Sequence, residues 1–549
     1  MTNPIFRWIS RLTLLGCLVA SPPTVAETGH GTADSGAAPG PVPLYDNLGG
    51  HHHAITTEVP KAQQYFDQGL RLVYAFNHAE AVRAFGEAAR LDPGCAMCYW
   101  GAALAYGPHI NGAMDAVAGE KAYAMLQKAI ALAPQASASE RAYIQALARR
   151  YARPPPANRS KLDAAYANAM AAVAKRFPED LDAATLSAEA LMDLSPWDYW
   201  TSQGRPKPHT AEILALLDSV IARDPDHPGA CHYYIHIQEA AHPEQAVACA
   251  ERLARLMPGA GHIVHMPAHI YIRVGRYADA IESNRHAVHT DEGYLTEQHP
   301  SGIYPLTYYP HNLHFLAFAA AMAGQSAQAV EAARALAGRL DLEAIRQYPG
   351  LETLVAYPQL TLVTFGRWDE VLAAPLPADG LRFAGAMAHY ARGVAFAAKA
   401  RWHDADLALG KMKNALAATP AGINRTVLKI AAQALAGEIA ARQGRPDAAA
   451  DRFTRAVELE DSLRYSEPPY WYYPMRHSLG KALLAAGRPQ AAERVYREDL
   501  MRYPENGWAL FGLEASLLAQ GQDAEAGQAK ERFAHAWAGA DVALTASRF

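Results

Sequence analysis

From Tyr65 to the end of the chain, apolar positions recur every three or four residues in segments of about a dozen residues, with short polar turns between them. The segments themselves repeat at a period near 34 residues, which predicts an all-α chain of paired helices. Gly69, Ala81, Phe85, Ala88 and Pro93 mark one pair. The small residues let two helices approach closely, and the proline ends the second helix because it has no N–H for the ladder. Further copies show at Ala122, Leu126, Ala129 and Pro134; at Ala246, Ala250 and Pro258; at Gly275, Tyr277 and Ala280; and at Gly324 and Ala329. Near the C-terminus come Gly480, Gly487, Ala492, Tyr496 and Pro504. Turn-rich stretches at 107–118, 195–209, 290–310 and 374–380 are expected as rim loops or lids.

The spacing from Gly69 through Pro93 resembles that of a tetratricopeptide repeat (TPR), so the array at 65–549 is identified as a member of that superfamily. The resemblance implies a helical-hairpin solenoid wound as a right-handed superhelix, with first helices lining a concave groove and inner-face residues contacting a ligand. The strings His232-Tyr-Tyr-Ile-His236, His265-Met-Pro-Ala-His269-Ile-Tyr271, Tyr308-Tyr-Pro-His-Asn312 and Glu467-Pro-Pro-Tyr-Trp-Tyr-Tyr-Pro474 are similar to those of a group of exported bacterial TPR proteins. Tyr65-Phe-Asp-Gln-Gly-Leu70 and Tyr74-Ala-Phe-Asn-His78 fit the same group. That likeness implies a fold and no reaction.

The N-terminus predicts export. Arg7 and Arg11 precede the apolar run Leu12 to Ala20, and Thr24-Val25-Ala26 offers a small-residue cleavage site, so residues 1–26 read as a signal peptide. The expected location is periplasmic or secreted; a lipoprotein anchored through Cys17 is the rival reading. Residues 27–64, rich in Gly, Pro and His, are expected as an extended leader. No later stretch is apolar enough to span a bilayer. The formal charge of -5 over 549 residues gives no argument for nucleic acid or an anionic membrane. Cys95, Cys98, Cys231 and Cys249 remain after the signal, an even number whose pairing the sequence leaves open. Tyr99 follows the Cys95–Cys98 pair where a c-type haem motif would have histidine.

Twelve of the 23 histidines fall between His227 and His314. A shift of 49 residues carries His262 onto His311, His265 onto His314 and Gly275 onto Gly324. Residues three or four apart share a helix face, so His262, His265 and His269 point one way, as do His311 and His314. Carried onto the TPR geometry, these five lie on the inner wall, and His232 and His236 join them from the preceding first helix, with Glu239 one turn on. Seven converging imidazoles suit one or two transition-metal ions, copper, zinc or iron among them. Met257, Met266 and Cys231 would favour copper if they joined. Glu239 reads as a ligand or a general base. His477 matches His265 in register but lies several repeats away; His51, His52, His53, His78, His109, His286, His289 and His299 are expected in surface, turn or capping roles, the first three with the option of folding back as a flap.

Three functions compete on these residues. A metal-dependent enzyme would act on a small molecule or peptide held in the groove. A metal-free scaffold would grip a peptide or protein partner through polar histidines. A storage or delivery protein would exchange its metal without turnover. A phosphate loop after a strand, a nucleophile elbow and a His-Glu-x-x-His helix are all missing from the sequence.

Overall fold

The computed structural model describes residues 42–300 and 302–549. The expected signal peptide at 1–26, Cys17 and the expected leader up to residue 41 lie outside the described residues. Among the described residues the regular structure is helical, with two isolated β-bridges, His109 to Gly112 and Trp200 to Pro206, inside rim loops. The chain is an all-α solenoid of TPR-like hairpins.

Each hairpin closes where the sequence places small residues. In the first, Pro60–Tyr74 packs on His78–Leu91. The Phe85 ring of the second helix is wedged between Gly69 of its own hairpin and Gly101 of the next: a Cβ at either glycine would stand 2.6 or 2.4 Å from Phe85 Cε1. The same wedge recurs near the C-terminus, where Tyr496 fills the gap between Gly480 and Gly512. Any side chain larger than hydrogen there would force the helices apart. The buried residues form one nearly continuous apolar core along the array, as expected when each hairpin hides its face against its neighbours.

The turns inside hairpins bend at a residue in the left-handed region, filled by Gly275 (φ 81°) and Gly324 (φ 72°). In the first hairpin that place is held by Phe76 at φ 56°. A non-glycine residue there costs about 1–3 kcal/mol, which surrounding contacts must offset. Those contacts are the histidines described below.

Two expectations are revised. The stretch 290–310 is mostly helical: Tyr277–Gln298 is one long helix, and a π-helical turn, Tyr304–Tyr308, leads into Tyr309–Met322. The leader, for its part, is bound as a strap from residue 42 to 59. Tyr65 Oη donates to Val42 O, Gln68 Nε2 to Pro43 O, Arg71 Nε to His51 O and Thr56 Oγ1 to Glu140. The first helix starts at Pro60, within the stretch assigned to the leader. Cys95 and Cys98 form a disulfide, while Cys231 and Cys249 are buried thiols. No helix among the described residues is long and apolar enough to cross a membrane.

Candidate metal centre

Three helical segments, separated in the chain by other helices, carry most of the site: Pro228–Gln238, the short pair Gly261–His265 and Pro267–Arg273, and Tyr309–Met322. Spacing of four residues puts His232 and His236 on one face and His265 and His269 on another. Their rings, with His262 and His311, form two groups of three, His232–His236–His262 and His265–His269–His311, each with its ligand atoms within 4.8 Å of one another. All are buried except His311, which is partly so.

The hydrogen bonds fix which nitrogens carry protons. His232 Nδ1 donates to the Tyr74 carbonyl at 2.6 Å. His236 Nδ1 donates to Glu239 Oε1 at 2.9 Å, and His269 Nδ1 to Glu239 Oε2 at 2.5 Å. His265 Nδ1 donates to Asn284 Oδ1 at 2.7 Å, the amide being oriented because Asn284 Nδ2 donates to Ala280 O. Every one of these acceptors lacks a proton to give, so each neutral ring has its hydrogen on Nδ1 and a bare lone pair on Nε2. The bare atoms then face each other: His232 Nε2 lies 3.1 Å from His236 Nε2, and His265 Nε2 lies 2.9 Å from His269 Nε2. Two lone pairs at that distance repel unless a cation sits between them. Both ring nitrogens of His262 are buried without a hydrogen-bond partner.

Burial, reinforced by neighbouring imidazoles, holds His232, His262, His265 and His311 well below the usual histidine pKa, and burial lowers His236 as well. These five rings are neutral bases near pH 7, the form that binds metal. Burial works to raise the Glu239 carboxyl, but His269 and His236 outweigh it and its pKa is lowered, so it is an anion.

Glu239, read from the sequence as ligand or base, meets both rings on their Nδ1 edges. Its Oε2 also accepts from Tyr465 Oη at 3.0 Å. A carboxylate so placed aims the opposite nitrogens and makes them better donors. One glutamate thereby ties a ring of the first group to a ring of the second.

A phenylalanine backs each group. Phe76 lies 4.5, 5.8 and 5.4 Å from the rings of His232, His236 and His262, and Phe315 lies 4.5, 4.5 and 4.8 Å from those of His265, His269 and His311. The strained Phe76 backbone is thus compensated by three imidazole contacts. Trp197, on the 195–209 loop, stands edge-on to His236 at 5.0 Å, and Tyr308 edge-on to His262 at 4.7 Å. His262 starts its helix beside a buried polar knot: Tyr304 Oη donates to Asp291 Oδ1 at 2.9 Å, and a Cβ at Gly261 would meet that same oxygen at 2.0 Å.

Of the seven histidines expected to converge, six do. His314 stands apart, its ring edge-on to Tyr357 at 4.4 Å and its pKa lowered to about 3 by burial. The 49-residue shift pairs it with His265 in sequence, yet of His311 and His314 only His311 joins the group. His477 also keeps a local role, its Nε2 bonded to Asp499 Oδ2 at 2.9 Å. Cys231 joins neither group, its Sγ directed to Pro225 O.

The sequence reading missed the supporting residues Tyr74, Phe76, Asn284, Phe315 and Tyr465. Spacing offers no signal for Tyr465, 226 residues from Glu239. Tyr74 and Phe76 lay in a string that carried the family resemblance, Tyr74 to His78. A second cluster was also missed: His51 Nε2, His53 Nδ1 and His227 Nε2 all approach the Asp182 carboxylate, at 3.0, 2.8 and 3.3 Å, and Tyr74 Oη donates to it at 2.5 Å. Here the rings face a carboxylate that satisfies them. His227 Nδ1 accepts the Ala230 N–H, which puts its proton on Nε2, toward Asp182.

No family model matches the chain, and no curated protein matches it. Among solved structures it is similar to the human IFIT1 dimer with m7Gppp-AAAA, at 12% identity and TM-score 0.32, over 80% of this chain and 90% of that one. It is similar to Cut9 in the APC/C hetero-tetramer Cut9-Hcn1 (11%, TM-score 0.30, 87% and 94%) and to yeast Tom70 (15%, TM-score 0.25, 87% and 92%). At these scores the likenesses carry no argument about function, and the repeat reading rests on the hairpins themselves.

Proposed function

We propose that this protein binds two transition-metal ions side by side, one through His232, His236 and His262 and the other through His265, His269 and His311. The facing Nε2 pairs carry this reading. With metal–nitrogen bonds of about 2.0–2.1 Å, two ligands on one ion stand about 3.3 Å apart at a tetrahedral angle and about 2.9 Å at a right angle. The observed 3.1 and 2.9 Å fall in that span.

Six imidazole ligands suit copper or zinc best, with iron a further option. Three protein ligands per ion leave a coordination position free, the arrangement of reactive sites in preference to closed structural ones. The function we propose is therefore metal-dependent chemistry on a small ligand, in the periplasmic or secreted setting expected from residues 1–26. Bound metal would act as a Lewis acid or, if copper or iron, as an electron carrier. The protein's own part is to keep five rings neutral, to orient two of them through Glu239 and to back both groups with phenylalanine. Elemental analysis of untagged protein after loading with copper(II) or zinc(II) tests it. Two ions per chain are expected; none would leave a metal-free scaffold as the better account.

A further inference from the structure

We infer that the two ions share one small exogenous anion, bound between the two histidine groups. The inference rests on the metal reading above and goes beyond it to the class of ligand.

Four observations support it. First, the six donors are imidazole nitrogens, a ligand type that brings no negative charge to a metal. Second, among the described residues the carboxylate hydrogen-bonded to the rings, Glu239, is behind them, its oxygens taken by two imidazole N–H groups and by Tyr465 Oη; it is placed to orient the ligands and faces away from the Nε2 atoms. Third, the groups adjoin. The His236 and His269 rings, joined through Glu239, lie 5.5 Å apart, and those of His262 and His265 lie 5.8 Å apart, whereas His232 and His236 within one group are 4.8 Å apart. Fourth, two divalent ions bring four positive charges into a buried place. Beside Glu239 the neighbouring charged groups are Arg273, whose Nε donates to the Glu239 carbonyl, the buried carboxyl of Glu467, with one oxygen lacking a partner, and Asp291 next to His262, which accepts from Tyr304 Oη and Asn312 Nδ2. Even with all three carboxyls ionised, these side chains leave two of the ions' four charges uncompensated. Buried charge without compensation is costly, and an anion on the free coordination positions supplies what the protein does not.

Phe76 and Phe315 back the two groups, which restricts the anion to a few atoms. Hydroxide from water and peroxide from dioxygen share this chemistry. In the second case two cuprous ions each give one electron, dioxygen gains two and becomes peroxide with its O–O bond intact, and no proton is consumed. The net charge of the site is then unchanged, because the added dianion balances the two charges gained by the metals.

Azide is the probe. Copper(II)-loaded protein should develop a charge-transfer absorption that saturates at one azide per two coppers. The double variant His265→Ala/His269→Ala should keep one copper and bind azide at least ten-fold more weakly. The copper protein reduced with ascorbate should take up one dioxygen per two coppers, whereas the zinc form should take up none, which separates the two sources of the anion. Two azides per chain, or equal azide affinity in the half-site variant, would overturn the shared anion while leaving the metal reading in place. Absence of bound metal in the wild type would overturn both.

Discussion

His232 Nε2 lies 3.1 Å from His236 Nε2, although the proton of each ring is held on its far side, by the Tyr74 carbonyl and by Glu239. A proton shared between the two nitrogens would make the pair a cation, yet burial lowers the pKa of both rings. The metal ion proposed above would resolve the conflict by taking both lone pairs together.

Replacing Glu239 by glutamine tests how far this depends on the carboxylate. Glutamine keeps the volume, but its NH2 must face one of the two Nδ1–H groups, donor against donor. Loss of such an orienting partner typically lowers metal affinity about 10–100-fold. Competition against a chromophoric chelator should show that drop with the helical circular dichroism unchanged. An unaltered affinity would remove Glu239 from the account.

His262 and His314 make a matched pair of variants. His262→Ala should reduce bound metal from two ions to one, because it completes the first group. His314→Ala should keep both ions while losing about 1–3 kcal/mol of stability, from the packing lost against Tyr357. Elemental analysis and thermal unfolding check the two halves. Release of metal by His314→Ala would mean that His314 is itself a ligand, against the division into two groups of three.

That contrast shows what the sequence could and could not reveal. The hairpins were legible because Gly69, Phe85, Gly480 and Tyr496 are fixed by helix-to-helix distance, a local requirement repeated along the chain. The pairs His232/His236 and His265/His269 were legible because a four-residue step defines a face. The third ligand of each group was not separable from His314, since it depends on how far one repeat turns against the next. Nor did spacing show which edge of a ring Glu239 meets. The contributions of Phe76 and Tyr465 come from contacts between segments far apart in sequence, and the leader's grip on Asp182 is of the same kind.

The pH dependence of metal binding follows from the lowered imidazoles. An ordinary histidine near 6.5 begins to lose metal to protons as pH falls through that value. Five of the six proposed ligands have folded-state pKa values below it, so competition sets in only at lower pH. Copper or zinc affinity should therefore stay nearly flat between pH 7.5 and about 6.5 and weaken only in more acid solution. Isothermal titration across this range checks it; a ten-fold loss per pH unit already above 6.5 would contradict the lowered values.

Asp182 ties the leader to the repeat array. Asp182→Asn leaves one acceptor oxygen where His51, His53, His227 and Tyr74 need two. Limited proteolysis should cut residues 42–59 several-fold faster in the variant. Because the Tyr74 carbonyl also holds His232 Nδ1, metal in the first group should be lost more readily than in the second. Unchanged cleavage would show that Tyr65, Gln68, Arg71 and Glu140 hold the strap without Asp182.

The most direct measurement is X-ray absorption on untagged, copper- or zinc-loaded protein, with the metal content determined on the same sample. The account predicts two ions per chain, each surrounded in its first shell by nitrogen at about 2.0 Å, with the outer-shell scattering of imidazole rings and no sulfur. It also predicts that His232→Ala/His236→Ala and His265→Ala/His269→Ala each retain one ion. A wild-type protein that stays metal-free after loading, or one ion that survives both double variants, would contradict it.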